Sequence, residues 1–186
     1  ETSRTAEAEA QVASKPSPEP TPEPVSPVDE KLIVEKTIRK SLKKPEGQLT
    51  EADLEKVTYL NLGNTKITDA GLKELAKLQN LTELELYGTD ITDADLKELA
   101  KLQNLTTIDL SGTKITDAGF KEVAKFQNLL ELYLERTPIT DEGLKDVAKL
   151  QKLEVLYLHN TQITKAGVAE LKKALPKCKI SSNPTK

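Results

Sequence analysis

From Val57 onward, two hydrophobic patterns take turns along the chain. In the segment LTELEL, apolar and polar residues alternate, the mark of a half-buried strand. In TDAGLKELAKL, Leu72, Leu75 and Ala76 fall at helical spacing and Leu78 closes the turn. Thr68 or Asp69 stands where a helix N-cap is expected, with an acid in the first turn. The strand pattern and the helix pattern return together every 24 residues, without insertion or deletion. Leu60 and Leu62 recur as Leu84 and Leu86, Ile108 and Leu110, Leu132 and Leu134, and Leu156 and Leu158. Thr65 recurs through Thr161, and Ile67 through Ile163, in the same register.

Five full copies run over 57–176, and a truncated sixth follows in KCKIS, where Ile180 takes the place of Leu156. One strand–helix unit cannot bury its own apolar side, but a stack of such units can. The pattern therefore predicts a solenoid whose strands stack in parallel. Each unit supplies about seven aliphatic side chains at roughly 1.5–3 kcal/mol of burial apiece, so no aromatic core is needed. The ends of a solenoid need caps. Residues 30–56 read as an N-terminal helical cap, with Val34, Ile38 and Leu42 on one face and KKPEG ending the helix, and 177–186 as a C-terminal half-repeat and tail.

The repeat, written LxxLxLxxTxITDxGL, resembles the leucine-rich repeat family, in its cysteine-containing or ribonuclease-inhibitor-like subtype, with Thr in the Cys position. The cap resembles those of secreted bacterial leucine-rich repeat proteins. The resemblance covers about two-thirds of the chain. It implies an α/β solenoid, a short curved horseshoe with its parallel sheet concave and its helices convex, acting as a protein-binding scaffold. Three departures stand out: Asp95 at the place of Gly71, Lys165 at that of Asp69, and Lys152 at that of Asn80. Each suggests a slightly altered helix entry or turn within an intact unit.

Residues 1–29 differ in composition from all of this. Six of the ten prolines lie between Pro16 and Pro27, and the stretch carries six acids and two bases. Such a segment buries too little apolar surface to offset its ordering entropy, so a disordered Pro/Glu-rich linker of extended polyproline character is expected. A spacer of this kind suits a protein tethered away from a membrane or wall, and a secreted or cell-envelope (periplasmic) bacterial location is the expectation; an interdomain linker in the cytoplasm would read the same way. No run of about 18 apolar residues is present, so membrane insertion is not expected. The remainder of the chain is near neutral, against an overall net charge of −3, and no nucleic-acid partner follows. Arg39, Lys40, Lys43 and Lys44 form a small basic cluster on the cap, read as a solvated face.

One Cys and one His leave little for a metal, redox or nucleophilic centre, and neither cofactor nor metal is expected. The lone Cys178 reads as a packing residue. What remains is the surface. Strand alternation points Tyr59, Glu83, Glu85, Tyr87, Asp109, Glu131, Tyr133, Glu135, Tyr157 and His159 out of the concave face. All four tyrosines and the single histidine are in this set, and no Lys or Arg joins them within the five repeats. The helix side looks reversed, with lysines at nine of ten equivalent places from Lys73 to Lys173. The expected function is a monomeric, non-catalytic scaffold whose acidic, Tyr-bearing face takes a protein or peptide partner of basic character. The alternative is a structural spacer without a specific ligand. Glu83 with Glu85, or Glu131 with Glu135, imitate paired glycosidase carboxylates, but an open sheet neither excludes water nor shifts their pKa values, so no enzyme is expected.

Overall fold

A computed structural model describes residues 26–185. Thus 1–25, most of the expected linker, lie outside the described residues. The first helix, α1 (Pro27–Leu42), begins three residues ahead of the expected cap boundary. The reason is local. Ser26 is an N-cap whose hydroxyl accepts from the Asp29 amide, and Pro27 occupies the first turn, where its missing N–H costs nothing. The helix stops at Lys43, which takes the left-handed conformation at φ 53°.

A one-turn helix α2 (Glu51–Leu54) leads into β1 (Tyr59–Asn61). Strands and helices then alternate: α3 (Asp69–Leu75), β2 (Glu83–Glu85), α4 (Leu96–Leu99), β3 (Thr107–Asp109), α5 (Phe120–Val123), β4 (Glu131–Tyr133), α6 (Asp141–Val147), β5 (Val155–Leu158), α7 (Lys165–Ala174) and β6 (Lys179–Ser182). The six strands form one parallel sheet in sequence order. The register shift between neighbours is one repeat, so Leu60, Leu84, Ile108, Leu132, Leu156 and Ile180 lie side by side. The inward rows of strand, turn and helix, among them Leu60, Ile67, Leu72, Phe120 and Leu156, are wholly buried in one continuous core.

The threonine of each repeat solves a problem inside that core. It sits in the turn leaving the strand, and its hydroxyl donates to the carbonyl three residues earlier: Thr65 to Leu62 at 2.7 Å, Thr89 to Leu86 at 2.6 Å, Thr113 to Leu110 at 2.7 Å, Thr137 to Leu134 at 2.6 Å and Thr161 to Leu158 at 2.8 Å. A buried polar side chain is thereby satisfied without leaving its own turn. One residue earlier the backbone is left-handed in every coil, at Asn64, Gly88, Gly112, Arg136 and Asn160. Asn and Gly tolerate this conformation; Arg136 does not share their advantage.

At the N-terminal end, Val34 and Ile38 of α1 are buried against the first coil, and the Ser41 hydroxyl donates to the Tyr59 carbonyl at 3.0 Å. The free edge of β1 is thus partly paired by a side chain.

Candidate functional site

The concave face is built from the residues that alternate with the buried rows. Tyr59, Glu83, Glu85, Asp109, Glu131, Tyr133 and Tyr157 stand on β1–β5. Tyr87, Glu135 and His159 follow just beyond their strands, where the parallel ladder continues: the Gly112 amide donates to the Glu135 carbonyl at 2.7 Å and the Arg136 amide to the His159 carbonyl at 2.9 Å. Geometry then divides these ten side chains into groups that sequence spacing does not reveal.

The first group is tied up within the face. Glu85 accepts from the Tyr59 hydroxyl at 2.9 Å and from the Asn61 side-chain amide. Tyr87 lies flat on Gly63: a Cβ there would meet its ring at 2.3 Å, so the ring needs the glycine beneath it. Asp109 accepts from the Ser111 amide at 2.8 Å.

The second group forms a stacked centre on β4 and β5. Tyr133 and Tyr157 are register partners, with ring centroids 4.8 Å apart and planes 9° from parallel. The Tyr133 hydroxyl donates to Glu131 at 2.9 Å. Burial, reinforced by that carboxylate, pushes the Tyr133 phenol up to about 12. A face that holds this phenol as a neutral donor offers a rigid, flat, amphipathic contact surface. His159 shares a hydrogen bond of 2.7 Å with Ser181 of β6, a partner that the repeat arithmetic does not suggest. Glu83 is exposed and Glu135 half-buried, and neither makes an ion pair among the described residues.

The helix side corrects the expected separation of charge. Its lysines do face outward, but most have an acid three or four residues earlier on the same side: Lys73 with Asp69 at 2.7 Å, Lys77 with Glu74, Lys125 with Glu122 at 2.7 Å and Lys149 with Asp146 at 2.5 Å. Helical spacing brings those pairs together, and the convex side is a mixed-charge surface. The sheet face is acidic by itself, and its acids have no counterpart in an excess of base behind.

Sequence spacing also leaves out a ladder of carboxylates beneath the helix starts. The Thr116 amide and hydroxyl donate to Asp93 of the preceding coil at 2.7 and 2.6 Å; Thr140 does the same with Asp117, and Thr164 with Asp141. The first-turn acid therefore serves the next coil. The glycine two residues beyond it is small for the same reason: a Cβ on Gly119 would meet Asp93 Oδ1 at 2.5 Å. The second coil breaks the rule in a matched way. Asp69 pairs with Lys73, and Asp95, at the glycine position, supplies its carboxylate to the Thr92 amide and hydroxyl at 2.7 and 2.9 Å. Lys165 takes the acid's place in the fifth coil, which among the described residues is followed by the half-coil of β6. Lys152 reaches Asn128 Oδ1 at 2.7 Å, whereas Asn128 and its equivalents bond a backbone carbonyl.

Six parallel strands in register, the first five each followed by a polar threonine turn and a helix, make the repeat geometry plain. These are leucine-rich repeats. Models of leucine-rich repeats match residues 79–122, as two copies, and 54–76 and 127–148. No curated protein matches in sequence. Among solved structures, the leucine-rich repeats of this chain resemble a Leptospira interrogans leucine-rich repeat protein at 28% identity and a TM-score of 0.55, covering 72% of this chain and 34% of the other. A Listeria monocytogenes internalin matches at 23% identity and a TM-score of 0.59, over 84% of this chain and 51% of that one. A secreted internalin-like protein of the same bacterium matches at 19% identity and a TM-score of 0.58, over 89% and 69%. The chain thus spans about a third of the Leptospira protein and half of the internalin. The two Listeria proteins share the fold of this leucine-rich repeat chain.

Among the described residues, no group of three or more His, Cys, Asp or Glu side chains is arranged to hold a metal ion, and no helix is long and apolar enough to cross a membrane.

Proposed function

We propose that the chain is a non-catalytic binding scaffold whose concave face takes a basic protein or peptide. One observation carries the reading: a single open sheet face gathers all four tyrosines with Glu83, Glu85, Asp109, Glu131 and Glu135, while its first five strands carry no Lys or Arg. Tyrosine supplies contact area at low entropic cost, and a one-sign field steers an oppositely charged ligand. The stacked Tyr133–Tyr157 pair is the natural anchor, with Glu83 and Glu135 as the acids free to engage a partner's Lys or Arg.

The cysteine-containing-type repeat with Thr in the Cys place, the secreted-type cap, and an extracellular or envelope location belong to the same reading. Support for the location comes from fold likeness to a bacterial protein described as secreted. The face is small: five strands at about 4.8 Å with roughly 10 Å of outward side chains along each give about 250 Å², below the roughly 800 Å² per side of a standard interface. A peptide, or several copies acting together, fits that area better than one large rigid partner.

The test is a pull-down from an extracellular or envelope fraction with the native chain and with a Glu83→Lys, Glu135→Lys, Tyr157→Ser variant. Loss of a specific partner in the variant supports the scaffold. Identical captures, or none, favour a spacer without a ligand.

A further inference from the structure

The outward side of α1 carries a row of residues that packing onto the first coil does not use. Glu30, Val34 and Ile38 face the coil and are buried. On the opposite side, at steps of four, three and four residues, stand Leu32, Lys36, Arg39 and Lys43, with Lys40 beside them. These steps place them along one stripe of a helix. Leu32 is 45% exposed, the most open large hydrophobic residue among those described. Lys36, Lys40 and Lys43 are exposed and make no ion pair among the described residues, in contrast to most lysines of the repeat helices. Arg39 is held by Glu35 at 2.8 Å, and Asp29 is the other exposed acid of the helix. Lys44, which the sequence groups with this cluster, turns away to Asp53 at 2.6 Å and to the Gln48 carbonyl at 2.9 Å. Lys36, Arg39, Lys40, Lys43 and Pro45 rim a shallow hollow of about 380 Å³.

We propose that this stripe of α1 rests on an anionic phospholipid surface. The helix lies flat, Leu32 enters the headgroup layer and the bases meet lipid phosphates. A polyanion such as a nucleic acid would be drawn to the same bases but would gain nothing from an exposed leucine in line with them; a lipid surface uses both. This surface is remote in chemistry from the acidic sheet face, so the proposal is independent of the partner proposed for that face.

Each ammonium held at an anionic surface is worth about fivefold in partition, so the three unpaired lysines together give roughly a hundredfold. The experiment is vesicle co-sedimentation of the full chain, with vesicles of phosphatidylcholine alone and with equal parts phosphatidylglycerol, at low and high salt. Binding is expected only with phosphatidylglycerol, weaker in high salt, and lost by roughly a hundredfold in Lys36→Gln, Lys40→Gln, Lys43→Gln. Leu32→Ser is expected to weaken vesicle binding while leaving retention on a short DNA duplex unchanged. These side chains are exposed, and circular dichroism melts check that the variants stay folded. Absence of binding, equal binding to neutral vesicles, an unaffected triple-lysine variant, an unaffected Leu32→Ser variant, or tighter binding to DNA than to vesicles would each overturn the proposal.

Discussion

Glu30 of the capping helix stands to Thr68 as Asp93 stands to Thr116. Its carboxylate accepts the Thr68 hydroxyl at 2.7 Å and the Thr68 amide at 2.8 Å, and also takes the Gly71 amide at 3.0 Å. The cap thus imitates, with a longer side chain from a different secondary structure, the carboxylate that Thr116, Thr140 and Thr164 each draw from the preceding repeat. Glu30 is 3% exposed, a buried acid made tolerable by three donors.

Glu30→Ala should therefore act at the junction between cap and first coil. Leaving two amides and a hydroxyl without their acceptor should cost about 3 kcal/mol. Urea unfolding measures the loss, and hydrogen exchange should show the earliest opening in α1 and β1. A change below about 0.5 kcal/mol, the range of an ordinary surface substitution, would contradict this role.

The glycine of each helix start and the aspartate of the coil before it should be energetically coupled. Gly143→Ala places a Cβ 2.5 Å from Asp117 Oδ1 and should destabilise by about 1–3 kcal/mol. In an Asp117→Ala background the same change should cost clearly less, since the obstructing carboxylate is gone. A double-mutant cycle of unfolding free energies reads the difference, and strict additivity would refute the coupling.

Arg136 occupies a left-handed position, φ 56°, that two other coils give to glycine and two to asparagine. It makes no ion pair among the described residues. Arg136→Gly should stabilise the chain by about 1 kcal/mol by relieving that strain, seen as a rise in the thermal midpoint. A fall would mean that Arg136 makes contacts outweighing its backbone strain.

Stability should fall on the alkaline side. Burial pushes the Cys178 thiol up to about 11 from 9.0, and burial with the Glu131 hydrogen bond pushes Tyr133 up to about 12 from 10.0. Across those intervals the folded chain binds more protons than the unfolded one, so their contribution is complete below pH 9 and is lost as pH rises to 12. Denaturant midpoints should decline over this range, and Cys178→Ser with Tyr133→Phe should flatten the decline. An unchanged slope in the double variant would exclude these two groups as its source.

Repetition made the solenoid legible. Leucines that recur at one interval, with strand and helix periods inside it, have few ways to be buried other than stacking, and the same alternation told which strand residues face out. The outward list was readable, but its internal division was not. Whether a tyrosine lies on Gly63, stacks on a neighbour or holds a glutamate depends on rotamers and on which neighbours each side chain meets, which alternation does not encode. The apparent basic helix side misled for a related reason: counting lysines at equivalent places passed over the acids one turn back.

By itself, the sequence determined the period, the buried rows, the parallel stacking and the polarity of the sheet face, because each follows from side-chain spacing summed over five copies. Only the tertiary structure decided how Glu30 replaces a missing aspartate, why Asp95 is admitted where glycine is the rule, and which lysines of α1 make no ion pair among the described residues. Those outcomes rest on distances between carboxylates, amides and ammonium groups in different coils, and hydrogen bonds of under about 3.2 Å respond to geometry that residue spacing alone leaves open.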